Sequence, residues 1–159
     1  MERTLRAVVQ RVRQASVTVE GVEIAKIGQG LLVLVGISKQ DTRADLEWMA
    51  KKIVELRIFD DSEGKLNLSL LDIRGDLLLV SQFTVYGDCR KGRRPSYTEA
   101  APPAEAQRLY SEFIEVARRW IPAAQSGQFQ AMMDVSLINA GPVTLILDGG
   151  KESATPQLL

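Results

Sequence analysis

The chain predicts an α+β fold: a curved, largely antiparallel sheet or partial β-barrel with two amphipathic helices on one side. Several runs alternate apolar and polar residues at the two-residue period of strands. Two stretches instead repeat apolar residues at helical spacing. These two stretches do not alternate regularly with the strands, as a βαβ array would.

Residues 5–12 are rich in β-branched side chains and read as a first strand. Arg3, Arg6, Arg11 and Arg13 surround it with a single acid, Glu2. They resemble a transit peptide only loosely, and solvated arginines on a strand are the plainer reading. A second strand covers 16–20, where Val17 and Val19 alternate with Ser16, Thr18 and Glu20. Glu20-Gly21 marks a hairpin turn into 22–27, and Gly28-Gln29-Gly30 a further turn. The continuous apolar run 31–37 is expected of a central strand.

Asp41 or Thr42 is suited to cap a helix in which Leu46, Met49, Ala50, Ile53 and Val54 share one face. That helix should end near Arg57. Ile58-Phe59 leads into a turn-rich acidic loop at 60–65, and 77–86 reads as a second long strand. Pro102-Pro103 opens the second helix. Its stripe runs through Ala106, Leu109, Tyr110, Phe113, Val116, Ala117 and Trp120, and Pro122 stops it. The final strands flank Gly141-Pro142, and 149–159 reads as a loose tail. With no repeat or linker, 1–159 is expected to be a single domain.

Composition narrows the chemistry. Lys+Arg and Asp+Glu are both 20, so any nucleic-acid contact must come from a local patch. The single cysteine, Cys89, excludes an internal disulfide framework and suggests a reducing, cytoplasmic compartment. The run 31–37 is too short to span a membrane. Histidine is absent, which excludes a Ser-His-Asp or Cys-His pair and a histidine-ligated metal within the chain. No metal or cofactor is expected. An enzyme built from this chain must use carboxylates, lysines, hydroxyls, backbone dipoles or groups on its substrate.

Gly141-Pro142 sits between two strand-like runs. Proline does not belong in a strand interior, so the pair either breaks the sheet at a turn or presents its backbone to something. Ser81-Gln82-Phe83-Thr84 ends an apolar strand; its hydroxyls either cap the strand end or belong to a site of neutral hydrogen-bonding groups. Arg90, Lys91, Arg93 and Arg94 are four cations within five residues, either solvated surface or a local anion site for RNA phosphate. Cys89 beside them is a minor candidate nucleophile, since no base accompanies it. Asp60, Asp61 and Glu63 do not follow a calcium-loop spacing and read as a solvated turn.

Taken together, ordered segments carry a resemblance: Ala7-Val8-Val9-Gln10-Arg11-Val12, Ala15-Ser16-Val17-Thr18-Val19, Gly30-Leu31-Leu32-Val33-Leu34-Val35-Gly36, Leu56-Arg57-Ile58-Phe59, Ser81-Gln82-Phe83-Thr84, Lys91-Gly92-Arg93-Arg94-Pro95-Ser96 and Gly141-Pro142-Val143-Thr144. In this order and spacing the chain closely resembles the D-aminoacyl-tRNA deacylase family, from about Leu5 to Asp148. The resemblance implies a homodimeric editing hydrolase acting on D-aminoacyl-tRNA. It implies a cis Gly141-Pro142 bond that enters the partner's pocket, holds the substrate amino group through backbone oxygen and blocks an L side chain. Ser81, Gln82, Phe83 and Thr84 would form the catalytic segment, with backbone N–H groups around Phe83 and Thr84 receiving the oxyanion. The ribose 2′-hydroxyl would help activate water. Asn139 would accompany the Gly-Pro pair in substrate binding, Arg11 would brace it, and Phe129 would stack on the terminal adenine or else be a core aromatic. Lys91, Arg93 and Arg94 would contact tRNA.

Departures from the family pattern are Ala140 and Met132, where acidic residues are usual, and Leu66, where methionine is common. Two other classes remain open on sequence: a non-catalytic dimeric module that binds the tRNA acceptor end, and a general esterase for free D-amino-acid derivatives.

Overall fold

The computed structural model describes residues 4–149, so Met1 to Arg3 and all of the expected tail beyond Gly149 lie outside the described residues. Strand β1 spans Arg6–Val19 and β2 spans Val22–Ile27. They pair antiparallel through a turn at Glu20 and Gly21, both with positive φ (49° and 77°), as a tight hairpin requires. β3 (Gly30–Gly36) pairs antiparallel with the first half of β1, while β8 (Asp134–Asp148) pairs antiparallel along nearly its whole length.

Two expected strands, 5–12 and 16–20, are thus one. The sequence reads as two because the alternation changes phase: Ala7 and Val9 face one core, whereas Val12, Ala15 and Val17 face the other. Ladder irregularities at Gln10/Val12 and Val12/Gln14 absorb the change.

The remaining pairings of this sheet are parallel. β6 (Asp76–Ser81) lies beside β3, and the short β7 (Gln125–Ser126) lies beside β6. Each is reached by a crossover that carries a helix: α1 (Arg43–Glu55) before β6 and α3 (Pro103–Ala117) before β7. The α+β class stands, but the sheet is mixed and includes parallel crossovers that the sequence reading did not expect. Burial explains the unbroken apolar runs of β3 and β6, since parallel strands are covered on both faces. The sheet nearly closes as a barrel: the Lys26 amide donates to Gln125 Oε1 (2.8 Å), and the Gly28 amide to Asp76 (2.8 Å).

Helices α1 and α3 pack together on one side. Leu46, Met49 and Ile53 of α1 and Leu109, Tyr110, Phe113 and Val116 of α3 bury the sheet face formed by Ala7, Val9, Val33 and Leu79. A second core of Val12, Val17, Ile27, Leu32, Leu78 and Val80 fills the barrel side. A two-stranded ribbon, β4 (Phe59–Asp60) with β5 (Leu66–Leu68), spans the acidic loop. The short helix α2 (Leu70–Ile73) follows it, where Ser69 and Asp72 cap each other's backbone N–H groups. That Ser-x-x-Asp pattern was the missed signal for α2.

The expected strand 77–86 stops at Ser81. The Gln82 amide makes the last ladder bond, to the Val35 carbonyl (2.8 Å), and the chain then turns into a 3-10 helix, Phe83–Tyr86. Neighbouring β3 ends at Gly36, so further extension would leave backbone groups unpaired.

Candidate active site

Gly141-Pro142 lies within β8 as a bulge rather than a hairpin. Gln10 pairs with Thr144 and Val12 with Asn139, so four residues of β8 oppose Arg11 alone. The Gly141-Pro142 peptide bond is cis. Asn139, Gly141 and Pro142 are exposed. Gly141 has φ +122°, which favours glycine, and a Cβ there would press on the Arg11 Nη2 atom at 2.7 Å and the Val143 nitrogen at 3.2 Å.

Arg11 holds this bulge. Its Nε donates to the Ala140 carbonyl (2.9 Å) and its Nη1 to the Ile58 carbonyl (2.9 Å). Asp60 lies 3.6 Å from Nη1, and only 12% of the arginine side chain is exposed. The reading of solvated arginines therefore fails for Arg11, and also for Arg6. Arg6 pairs with Asp148 (2.7 Å) and donates to the Val85 carbonyl (3.2 Å). Arg13 is exposed.

Ser81 and Gln82 are half-buried at the end of β6, and Phe83 and Thr84 are exposed at the start of the 3-10 turn. The Gln82 side-chain amide donates to the Thr84 hydroxyl oxygen. The turn is pinned from behind. Tyr86 is buried, and its hydroxyl donates to the Thr4 carbonyl (2.7 Å) with the Gly36 carbonyl 3.1 Å away. Burial holds the Tyr86 phenol well above its ordinary pKa, so it stays a donor. In front of the turn, Gln82 and Gln10 reach a cavity of about 410 Å³ walled by Leu32, Leu34, Val80, Val135 and Leu137, with Ala131, Met132 and Met133 over it.

One copy of the chain does not bring the bulge and the turn together. Ser81 pairs with Val35, Val35 with Ala7, and the bulge lies opposite Arg11. The separation is about 13 Å along the strands and three strand spacings of about 4.8 Å across them.

The basic loop is closed at its neck by reciprocal bonds between Asp88 and Ser96 (2.8 and 2.9 Å). Arg90 folds back onto the Asp88 carboxylate (2.9 and 2.6 Å), which raises its pKa further and spends its charge. Lys91, Arg93 and Arg94 are exposed. Phe129 is half-buried on the helix-side core, its ring 6.1 Å from that of Tyr110.

These features coincide with a known family. A family model described as "D-Tyr-tRNA(Tyr) deacylase" matches residues 8–148. The chain belongs to the D-aminoacyl-tRNA deacylase family. A D-aminoacyl-tRNA deacylase of Thermosipho africanus is 58% identical over 147 residues, covering 92% of this chain and 99% of that protein. One of Petrotoga mobilis is 57% identical over 148 residues, covering 92% and 99%. Among solved structures, a c-Myc DNA unwinding element binding protein aligns with TM-score 0.85 at 44% identity, covering 89% of this chain and 97% of its own. A probable eukaryotic D-amino acid tRNA deacylase aligns with TM-score 0.80 over 91% and 98%; at 19% identity it attests the fold alone. Family membership makes this chain an enzyme of the hydrolase class.

The matched stretch contains every candidate residue of this deacylase. Sequence reasoning missed Gln10, Ile58 and Asp60 as members of the surroundings. Ile58 takes part through its carbonyl, which no side-chain pattern announces. The Asp61 carboxylate accepts from the amides of Lys65 (3.0 Å) and Glu63 (2.9 Å), which lowers its pKa and organises the turn. Among the described residues no helix is long and apolar enough to cross a membrane.

Proposed function

We propose that this chain hydrolyses the ester between a D-amino acid and the terminal adenosine of tRNA, in the cytoplasm, as a homodimer. The observation that carries the reading is the bulge at Gly141-Pro142: exposed backbone, fixed by Arg11, on a chain whose relatives are named for D-aminoacyl-tRNA. Its distance from Ser81–Thr84 within one chain fits a site completed by a second copy, each bulge entering the other subunit's cavity. There Gly141-Pro142 and Asn139 form a rigid backbone wall. It accepts the substrate amino group at a carbonyl and leaves no room for an L side chain.

Water attacks the ester carbonyl carbon, the bond to the ribose 3′-oxygen breaks, and that oxygen leaves with a proton. With no histidine in the chain, the vicinal 2′-hydroxyl of the substrate helps position and activate the water. Phe83 and Thr84 open the 3-10 turn, where N–H groups lack the usual intrahelical acceptors and are suited to the developing oxyanion. Thr84 accepts from Gln82, which occupies a hydroxyl lone pair, and no base stands ready to deprotonate it; it serves as a donor rather than a nucleophile. Lys91, Arg93 and Arg94 meet tRNA phosphates, and the edge of Phe129 left exposed meets the adenine.

The test is deacylation of matched D-tyrosyl-tRNA and L-tyrosyl-tRNA by the purified protein without added metal. The D ester should disappear rapidly and the L ester persist; equal loss of both, or loss of neither, refutes the assignment. Because glycine carries no side chain to strike the wall, glycyl-tRNA should also be hydrolysed. A 2′-deoxy terminal adenosine should abolish turnover, and unchanged hydrolysis would remove the substrate's own hydroxyl from the mechanism.

A further inference from the structure

At the candidate catalytic turn stands an exposed aromatic pair whose rings the hydrolysis itself does not use. The rings of Phe83 and Tyr97 meet edge to face, centroids 5.0 Å apart and planes at 71°. They are 55% and 36% exposed, large values for such side chains. The pair is built rather than incidental. The Asp88–Ser96 bonds close the neck of the basic loop and return the chain so that Tyr97 lies on the backbone of Gly87. A Cβ on Gly87 would stand 3.2 Å from Tyr97 Cε1, so a side chain there would push on the ring. The same neck carries Lys91, Arg93 and Arg94 on its outer loop.

An exposed aromatic face next to exposed cations is the pattern that binds single-stranded nucleic acid: a base stacks on the ring while the backbone phosphates meet the charges. Phe129 is less suited to this, being half-buried against Tyr110. We propose that the Phe83–Tyr97 pair is a stacking platform for the nucleotide immediately 5′ of the terminal adenosine, with Lys91, Arg93 and Arg94 drawing in the adjoining phosphates. This rests on the proposed activity toward tRNA esters and adds a subsite to it: the enzyme reads a single-stranded 3′ end, not the terminal nucleoside alone.

The experiment compares D-tyrosyl esters on three carriers: adenosine, the trinucleotide CCA and full tRNA. Tyr97→Leu should raise KM about tenfold for the CCA and tRNA esters at unchanged kcat, and leave the adenosine ester unaffected. Tyr97→Trp should restore the wild-type KM. An equal change on all three carriers means that Tyr97 only supports the turn, and no change on any means that no base stacks there; either result overturns the proposal. Binding of uncharged, labelled CCA-ended RNA, followed by anisotropy, separates this from failure of the proposed activity. Even if no ester is cleaved, Tyr97→Leu should weaken that binding about tenfold, and equal binding by wild type and variant sinks the platform.

Discussion

Replacing Arg11 with methionine keeps an unbranched apolar stem and removes every bond by which the side chain holds the bulge. Two hydrogen bonds from a charged donor are lost, to Ala140 and Ile58 at 2.9 Å each. At the lower end of the range for charged donors, because the bulge borders solvent, these contribute about 3 kcal/mol together. The contact with Asp60 adds little: that carboxylate is 55% exposed and 3.6 Å away, which corresponds to about 0.5 kcal/mol or less. Arg11→Met should therefore lower the unfolding free energy in urea by about 3 kcal/mol with an unchanged m-value. Arg11→Lys, with one compact donor group in place of a fork, should recover part of that. If the bulge is the wall against L side chains, the methionine variant should also lose discrimination between D- and L-tyrosyl-tRNA, chiefly by gaining activity on the L ester. A stability loss under about 1 kcal/mol together with intact discrimination would refute the reasoning, because the bulge would then be holding itself.

Other consequences are open to direct measurement. Asp41 accepts from the amides of Leu5 and Ser38 (both 2.7 Å), yet its burial pushes its pKa up to about 6. With the folded pKa above the unfolded one, the folded chain holds the extra proton between about pH 4 and 6, so stability rises on acidification through that window and falls as pH rises, by up to about 3 kcal/mol. Subtracting the pH–stability curve of Asp41→Asn should isolate this step, and a flat difference curve would exclude it. On the outer seam of α1 and α3, Arg119, Glu47, Arg43, Glu112, Arg108 and Glu105 form one alternating chain of ion pairs, with gaps of 3.0 to 3.6 Å. Arg43→Met cuts it in the middle and should cost about 0.5–1 kcal/mol at low salt and almost nothing in 1 M NaCl; a salt-independent loss would point to packing instead. Thr84→Ala should retain most of the deacylation rate, and mass spectrometry of quenched wild-type reactions should find no acyl-threonine.

The helical faces were legible because burial follows period: Leu46, Met49, Ala50, Ile53 and Val54 are all buried. Gly141-Pro142 was legible as a disturbance, since proline cannot take part in a ladder, but not as a bulge inside one strand; that depends on Arg11 of the opposing strand. The parallel pairing of β3 with β6 was not legible, because an apolar run records that both faces are covered and not which neighbour covers them. The end of β6 at Ser81 depends on where β3 stops, a fact of the sheet and not of residues 77–86. The candidate site divides along the same line. Its side chains are ordinary hydroxyls and amides, whereas its distinctive groups are backbone: the carbonyls of Ala140 and Ile58 on Arg11, and the amides that open the turn at Phe83. Every residue has an N–H or a C=O apart from proline's missing donor, so composition cannot mark which of them are aimed at a substrate. What sequence does mark is the residue that allows close approach or fixes the chain, and here those are Gly141, Pro142 and Arg11. Ala140 fits this view, because it contributes its carbonyl to Arg11 and that contact does not depend on its side chain.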